Sequence, residues 1–307
     1  MNSTAFATEY PLLRASLREA EETDGVPAWP SSPDASALVD AKRSVAAFVA
    51  ERGRVAWQTR LKARGVDVCD VSSPHGGAPA FRPISRAFYK LDEIFKSCVL
   101  SVPSASLHLG EAPGGFVQCT AAHARGFAWK WCAVSIDGGP AFATASLPLR
   151  CGRIVAADMR DVDKLVADVG QEEGYDLVTG DGATDMDHDE IEAAHAPLLW
   201  AQAAIAVRTL APEGALVLKY FEGLSFDSAA LFAQLSQRFQ RTSIIKPRTS
   251  RATNSERYFV AVGFVAADRT LLPSGRVVVA EGWLLRYVEL AHRLARDQVT
   301  SIKKMLS

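Results

Sequence analysis

The sequence lacks an apolar run of the roughly 20 residues that a membrane-spanning helix requires. Its first residues, Met1 to Glu9, contain neither a basic segment nor an apolar one, so we expect no secretory signal. The five cysteines include no C-x-x-C pair, which favours reduced thiols over disulfides or a zinc cluster. These absences predict an intracellular chain that does not bind membranes, in either the cytoplasm or the nucleus.

The sequence also lacks an excess of either charge. Lysine and arginine number 34 and aspartate and glutamate 35, so the field of the whole molecule attracts neither nucleic acid nor an anionic surface. A polyanionic partner would need a local basic patch. The segment 241–257 is such a patch, because its only acidic residue is Glu256 and its basic residues are Arg241, Lys246, Arg248, Arg251 and Arg257.

No group of residues has the spacing of a metal site. The segment Asp185–Glu190 begins like an EF-hand loop, but Glu190 stands where that loop needs glycine and Ala196 where it needs glutamate. An acidic first turn of the following helix, favourable with the helix dipole, explains the segment better. We therefore expect no bound metal.

The chain is predicted to consist of a core with two flanking extensions. Helical periodicity in Ala5–Glu22 and Asp34–Arg64, around a break rich in proline and serine, predicts a helical first part. An amphipathic helix, Glu281–Leu306, is predicted at the other end. The parts are a helical extension over 1–80, a core over 81–268 and a helical extension over 269–307.

The core alternates short apolar runs with helical stretches. The predicted strands are Ala105–Leu109, Trp131–Ile136, Arg153–Ala157, Asp176–Thr179, Ala215–Phe221, Thr242–Ile245 and Tyr258–Val265. The predicted helices between the first five are Gly115–Arg125, Val162–Val169 and Ile191–Leu210. This alternation predicts an α/β fold with a mostly parallel, doubly wound sheet. The last two strands are too close for a helix between them, which predicts an antiparallel hairpin at one edge.

A glycine-rich turn lies where the first strand meets the first helix of the core. In a doubly wound sheet, this carboxyl-end crevice binds the ligand. Gly114 and Gly115 allow a ligand to approach the backbone, and Pro113 stiffens the turn. The pattern is not G-x-G-x-x-G, so a pyrophosphate site is poorly supported. A plain tight turn is the alternative.

A further helix is predicted before this turn. Ser85 is a suitable N-cap, and an apolar stripe follows it at Phe88, Leu91, Ile94, Phe95 and Cys98. Lys90 lies about 200° around the helix from Phe88, so it leaves the buried face and points toward a groove.

Five segments of the chain contain further patterns, which are, in chain order, Ser85–Leu91 (S-R-x-x-Y-K-L), Glu111–Phe116 (E-A-P-G-G-F), Asp176–Gly182 (a strand ending in aspartate), Leu216–Phe221 (V-x-K-x-F) and Lys246–Tyr258 (K-P-x-x-S-R-x-x-S-x-E-x-Y). These segments resemble motifs of the FtsJ-type ribose 2′-O-methyltransferases, which depend on S-adenosylmethionine (SAM). Each match alone is weak, but their shared order is specific. The resemblance implies a Rossmann-like SAM methyltransferase sheet, SAM as the cofactor and RNA as the partner.

The resemblance also implies site residues. It assigns a catalytic tetrad to Lys90, Asp181, Lys219 and Glu256. It assigns cofactor contacts to Gly110, Glu111, Ala112, Pro113, Gly114, Gly115, Phe116, Ser135, Asp137, Asp158 and Asp181, with Asp158 at the adenine. RNA contacts fall on Arg86, Lys246, Arg248, Ser250 and Arg251. Two positions depart from the family: His108 replaces an aspartate, and Ser135 stands where an acid for the cofactor ribose is expected, a carboxylate that Asp137 can supply instead.

The tetrad suggests a reaction. A ribose 2′-hydroxyl is scarcely ionised at neutral pH, so the enzyme must align it with the methyl donor and assist loss of its proton. Lys219 is the best base, and Asp181 and Glu256 are expected to orient the lysines. Without the matched motifs, the tetrad residues would be read as ordinary charged surface or turn residues.

Capped mRNA is the preferred substrate, with methylation of its first transcribed nucleotide and with capping-machinery proteins as partners. The preference comes from the long extensions and from the E-A-P-G-G-F and Trp129-Lys130-Trp131 features, which look more like those of cap enzymes. Ribosomal or transfer RNA is the alternative. A catalytically silent subunit that binds RNA is a second alternative.

Overall fold

The computed structural model describes residues 8–12, 15, 17–19, 32–64, 82–183 and 191–307. Four features of the sequence lie outside these residues: Cys69, the breaks at 27–31 and 74–79, and the acidic segment 185–190. No helix within the described ranges is long and apolar enough to cross a membrane.

The described elements alternate between strands and helices through the core. The helices are α1 (Pro33–Ala63), α2 (Ala87–Cys98), α3 (Gly115–His123), α4 (Val162–Val169), α5 (Ile191–Thr209), α6 (Phe226–Arg238) and α7 (Glu281–Leu306). The strands are β1 (Thr8–Leu12), β2 (Leu17–Glu19), β3 (Ala105–Leu109), β4 (Lys130–Ser135), β5 (Gly152–Ala156), β6 (Tyr175–Gly180), β7 (Leu210–Phe221), β8 (Phe239–Lys246), β9 (Glu256–Phe264) and β10 (Val277–Val279).

Eight of the strands form one mixed sheet in the order β1-β8-β9-β7-β6-β3-β4-β5. The pairs among β7, β6, β3, β4 and β5 are parallel, which confirms the doubly wound α/β core. The hairpin of β8 and β9 is antiparallel and lies toward one end of the sheet, with β9 between β7 and β8. Parallel strands bring their carboxyl ends to one edge, so the loops after β3, β4, β5 and β6 meet there.

The N-terminal part differs from its prediction. Ala5–Glu22 was expected to be helical, yet Thr8–Leu12 is a strand that pairs antiparallel with β8, and Leu17–Glu19 pairs with β10. The open edge of β8 offers unpaired backbone groups, and a strand beside it satisfies them. Pairing between segments so far apart overrides the weak helical pattern of a short stretch.

Helix α6 was not predicted. It connects β7 to β8. Its N-cap is Ser225, whose hydroxyl accepts a hydrogen bond from the Ser228 backbone N–H at 3.2 Å. The predicted α2 stripe is confirmed, since Phe88, Leu91, Ile94, Phe95 and Cys98 are all buried. The helix begins at Ala87, two residues after the expected cap.

The two flanking helices pack on each other. Leu38 and Ala41 of α1 form one hydrophobic cluster with Ala295, Val299 and Ile302 of α7. Helix α1 is interrupted at Gly53, whose backbone is non-helical, so residues 33–52 form one continuous helix before the kink. The described parts of the N- and C-terminal extensions therefore associate with each other as well as with the core.

Candidate active site

The four residues of the predicted tetrad converge from separate elements. Lys90 lies on α2, Asp181 directly follows β6, Lys219 lies on β7 and Glu256 begins β9. Strands β7 and β9 pair with Lys219 opposite Tyr258 and Phe221 opposite Glu256. Because side chains two residues apart share one face of a strand, Lys219, Tyr258 and Glu256 all project from the same face of the sheet.

The first ion pair of the site joins Lys90 to Glu256. The Lys90 Nζ lies 2.7 Å from both carboxylate oxygens of Glu256. Both side chains are largely buried, with 13% and 9% of their surface exposed. The Ser250 hydroxyl also donates to Glu256, at 2.9 Å. Lys90 thus leaves the apolar face of its helix, as the helical wheel predicts, and enters the site.

The second ion pair joins Lys219 to Asp181. The Lys219 Nζ lies 3.2 Å from Asp181 Oδ1 and also donates to the Asp181 backbone carbonyl. The Tyr258 hydroxyl donates to the same Oδ1 at 3.0 Å. Burial, together with Asp181 and Glu256, raises the pKa of Tyr258 far above its usual range, so the phenol stays a donor. Tyr258 was not among the predicted site residues, although it ends the K-P-x-x-S-R-x-x-S-x-E-x-Y segment.

Glu256 is held as a carboxylate by the surrounding cations. Burial alone would raise its pKa, but Lys90, Lys219 and Lys246 outweigh that effect and hold the pKa at about 2. The two ion pairs therefore belong to one electrostatic cluster, because Glu256 responds to Lys219 as well as to its own partner Lys90.

Lys246 closes the loop between β8 and β9. Its Nζ donates to Ser250 Oγ at 3.1 Å, to both the carbonyl and the side-chain oxygen of Asn254 at 2.9 and 2.6 Å, and to the Glu256 carbonyl at 2.7 Å. Burial lowers the pKa of Lys246 to about 7, helped by Arg257 and Lys90 and opposed by Glu256. This ammonium group is engaged inside the protein. Its predicted contact with RNA stays a prediction, as does that of Ser250, whose hydroxyl serves Glu256.

Helix α2 anchors the same loop. The buried Glu93 carboxylate accepts hydrogen bonds from Thr249, from the backbone N–H at 2.9 Å and from the hydroxyl at 2.6 Å. Arg86 donates to the Thr249 carbonyl at 3.0 Å. Glu93 was missed by the sequence analysis, and its only signal is its position one helical turn after Lys90. Of the other predicted RNA contacts, Arg248 is exposed on this loop and Arg251 is half-buried.

The glycine turn fits a cofactor-binding role. Gly110 has φ 68°, and a Cβ atom there would lie 2.1 Å from the Gly182 Cα, so the turns after β3 and β6 touch backbone to backbone. Gly114 has φ 116° and caps α3. A Cβ atom on Gly115 would lie 2.3 Å from Ser85 Oγ, so α2 packs closely against the start of α3. Side chains at Gly110 and Gly115 would collide with other protein atoms, so these positions need glycine. The turn lies at the carboxyl ends of the strands, where a doubly wound sheet binds its ligand, and its contacts with SAM stay predictions.

Glu111 organises this turn from within. Its carboxylate is buried and accepts the backbone N–H groups of Phe116 and Val117 at 2.7 and 3.0 Å. Burial and the charge of Asp181 raise its pKa to about 8, although the two N–H donors and Lys219 oppose the rise. The structure thus gives the Glu111 side chain a role as a helix cap, while direct contact with SAM stays a prediction.

The other predicted cofactor residues line the same edge of the sheet. Ser135 ends β4, Asp137 follows two residues later, Asp158 follows β5 and Asp181 follows β6. Asp137 is exposed and accepts only its neighbour's backbone N–H among the contacts described, from Gly138 at 3.0 Å. Asp158 binds Arg160 at 2.6 Å, and that hydrogen bond lowers its pKa. The carboxylates of Asp137 and Asp158 are exposed, whereas that of Asp181 is largely buried. Their contacts with the cofactor ribose and adenine stay predictions.

Three further side chains show what the sequence pattern left open. His108 is fully buried between Ser106 Oγ and Thr179 Oγ1, each 2.8 Å from a ring nitrogen, and burial lowers its pKa to about 3. It is a neutral link between β3 and β6. Trp129 and Trp131 are buried against each other at the start of β4, so they form no exposed stacking surface for a cap.

The core of the chain is similar to known proteins. The family model described as FtsJ-like methyltransferase matches residues 83–264. "Ribosomal RNA large subunit methyltransferase E" of Nitrobacter hamburgensis is 32% identical over 189 residues, which cover 59% of this chain and 78% of that protein.

Two relatives with other substrates match shorter regions. "Cap-specific mRNA (nucleoside-2'-O-)-methyltransferase 1" of Trypanosoma brucei brucei is 31% identical over 36% of this chain. "tRNA (cytidine(32)/guanosine(34)-2'-O)-methyltransferase" of Schizosaccharomyces pombe is 40% identical over 30% of this chain. Each match spans only about a third of the relative's length, 31% and 32%. The family model covers more than half of the chain and includes all four tetrad residues, and the chain therefore belongs to the FtsJ-like methyltransferase family.

Proposed function

We propose that the chain transfers a methyl group from SAM to a ribose 2′-oxygen of RNA, with Lys219 as the base. The observation that carries this proposal is the convergence of two lysines and two carboxylates in paired contacts, Lys90 with Glu256 and Lys219 with Asp181. All four side chains are at least four-fifths buried. The balance of charges makes such a cluster less costly to bury than a lone lysine.

The contacts of Lys219 suit a base. A neutral amine has two N–H bonds and one lone pair. The two N–H bonds match the two acceptors on Asp181, its carbonyl and Oδ1, so the lone pair is left to accept the 2′-hydroxyl proton.

The reaction then needs only alignment and one proton transfer. SAM, when bound, supplies a sulfonium-activated methyl group. Lys219 would take the proton that the 2′-hydroxyl loses as its oxygen accepts this methyl group from the sulfonium. Asp181 holds the Lys219 nitrogen. Asp181 also lies beside the turn that starts at Gly110, so the base and the predicted SAM site are neighbours.

The test is the variant Lys219→Ala. We expect methyl transfer to fall by at least about a thousandfold, because the proton acceptor is removed, while SAM binding measured by calorimetry stays within about threefold of the parent. Lys164→Ala, which removes an exposed lysine of α4, is the matched control and keeps full activity. Turnover retained in Lys219→Ala would contradict the assignment of the base.

For the substrate we propose capped mRNA, methylated at the first transcribed nucleotide. Two features support it: the similarity to the Trypanosoma cap enzyme, and the extensions on both sides of the region that the family model matches. Ribosomal RNA is the second candidate, because the Nitrobacter relative matches this chain over a longer region, 59% against 36%. The buried Trp129 and Trp131 give the cap no support.

One assay separates these substrates. The protein is incubated with radiolabelled SAM and matched RNAs that differ only in the 5′ cap, beside ribosomal and transfer RNA. Transfer that requires the cap supports the mRNA proposal, and equal transfer without it overturns that proposal but leaves the 2′-O chemistry standing. SAM binding without transfer to any of the RNAs would favour the silent subunit. Capping proteins as partners belong to the same proposal, and they are tested by co-purification on capped RNA.

A further inference from the structure

A buried chain of polar contacts joins the two flanking helices to the active-site loops. Lys42 of α1 donates to Glu222 Oε1 at 2.6 Å, and Ser255 Oγ donates to the same oxygen at 3.1 Å. Gln298 of α7 donates to Ser255 Oγ at 3.1 Å and to the Thr253 carbonyl at 3.2 Å. We call Lys42, Glu222, Ser255 and Gln298 the flanking network. All four residues are buried.

Two members of the flanking network, Glu222 and Ser255, lie close in sequence to two tetrad residues. Glu222 lies three residues after Lys219, and Ser255 directly precedes Glu256. The Glu222 backbone N–H donates to the Ser255 carbonyl at 3.2 Å, which continues the pairing of β7 with β9 by one more bond. A displacement of Glu222 or Ser255 would therefore move the ends of the strands that hold Lys219 and Glu256.

Glu222 has a backbone conformation that needs support. Its φ is 57°, in the left-handed region that a residue with a side chain seldom adopts. Such a conformation persists only where surrounding contacts hold it. Those contacts are Lys42 on its carboxylate, Ser255 on its carboxylate and N–H, and Arg257, which donates to its carbonyl.

The helices that supply Lys42 and Gln298 are fixed to each other. Their hydrophobic cluster and the ion pair between Arg296 and Asp34, at 2.6 Å, hold α1 against α7. Leu224, two residues after Glu222, packs on the edge of the same cluster. Both helices lie outside residues 83–264, the region that the family model matches.

We propose that Lys42 and Gln298 are positioning residues for the active site, acting through Glu222 and Ser255 on the strands that carry Lys219 and Glu256. This inference rests on the proposed function. A buried ion pair contributes little net stability compared with apolar residues of similar size, so stability alone does not explain why Lys42 and Glu222 are paired here. The alignment of Lys219 and Glu256 explains the pairing, because a misplacement of about 1 Å can lower a reaction rate about a hundredfold.

The experiment removes the network and leaves the tetrad intact. The variants are Lys42→Met, Gln298→Leu and the double change Lys42→Met/Glu222→Leu, which replaces the ion pair by apolar side chains. Arg43→Met is the matched control, since Arg43 is the next residue on α1 and 64% of its side chain is exposed. For each variant we measure kcat and KM for RNA and SAM, the thermal midpoint, and hydrogen exchange of segments 219–223 and 253–257 without substrate.

We expect kcat to fall about tenfold or more in the double variant and in Gln298→Leu, with KM for SAM within about threefold and a thermal midpoint close to the parent's. Exchange should rise in both segments. Lys42→Arg, which keeps the cation, should retain most of the parental kcat. Arg43→Met should match the parent throughout.

The outcomes separate two failures. Parental kcat and parental exchange in folded double and Gln298→Leu variants overturn the inference. An intact protein that transfers no methyl group to any RNA refutes the proposed function, and the exchange data then still decide whether the network holds the two segments. If Lys42→Met does not fold, Gln298→Leu, which changes no charge, carries the same prediction.

Discussion

The ion pair of Lys90 and Glu256 can be tested by removing one partner. In Lys90→Met, the Glu256 carboxylate loses the cation within 2.7 Å of both its oxygens but stays buried. Lys219, Lys246 and the Ser250 hydroxyl remain near it. Lys90→Met should lower the free energy of unfolding because it leaves a buried carboxylate without its counter-charge. Adding Glu256→Gln removes that charge and should recover part of the lost free energy.

The magnitude follows from the burial of Glu256 and from the cations around it. Lys90, Lys219 and Lys246 together outweigh the effect of burial and hold the pKa of Glu256 at about 2. Lys90 is the strongest of the three cations responsible. Breaking a buried pair costs about 3–5 kcal/mol. The lower end applies here, since Lys219 and Lys246 still act on the carboxylate, so we expect Lys90→Met to lose about 3 kcal/mol.

The sign with pH is fixed by the lowered pKa. The stabilisation is fully present above about pH 4.5 and is lost as the pH falls toward 2, because the folded protein then takes up a proton that the unfolded chain already holds. In Lys90→Met the pKa of Glu256 rises. The difference in free energy of unfolding between the parent and this variant should therefore be full at neutral pH and narrow on acidification.

The assay is urea unfolding at neutral pH, followed by tryptophan fluorescence, for the parent, Lys90→Met, Glu256→Gln and the double variant. We expect a coupling free energy of at least about 2 kcal/mol between the two positions. Lys164→Met controls for loss of a surface lysine and should cost less than about 0.5 kcal/mol. Additive single effects, with a coupling below about 0.5 kcal/mol, would refute the reasoning.

Two further predictions concern the glycine turn and the buried histidine. Gly110→Ala should weaken SAM binding by at least about tenfold in calorimetry, because its Cβ would lie 2.1 Å from the Gly182 Cα. The control Gly126→Ala, at φ 89° with open space around it, should bind SAM as the parent does. Equal SAM affinities of Gly110→Ala and the parent would contradict the close contact. Burial lowers the pKa of His108 to about 3, so its ring should show no titration by NMR down to about pH 5. The free energy of unfolding should fall as the pH drops below 6.5, because the unfolded chain then takes up a proton that the folded protein does not bind. An NMR titration midpoint near pH 6.5 would contradict the burial of His108 as a neutral group.

Much of the core could be predicted because its signals are local. Short apolar runs such as Ala105–Leu109 became strands with the predicted bounds, and Val162–Val169 and Glu281–Leu306 became helices over the predicted residues. In these segments hydrophobic periodicity and burial agree, so each element carries its own evidence. The tetrad could be named because its four residues lie in segments that resemble known motifs.

The sequence by itself therefore determined the α/β core, the family, and which charged residues belong together. Tertiary structure alone decided the strand at Thr8–Leu12, the burial of Trp129 and Trp131, the engagement of Lys246 and the contact of Lys42 with Glu222, 180 residues along the chain. A backbone edge that needs a partner, or a buried charge that needs a counter-charge, is satisfied by whatever the fold brings near it. Such pairings join distant segments and leave no periodic pattern in either one.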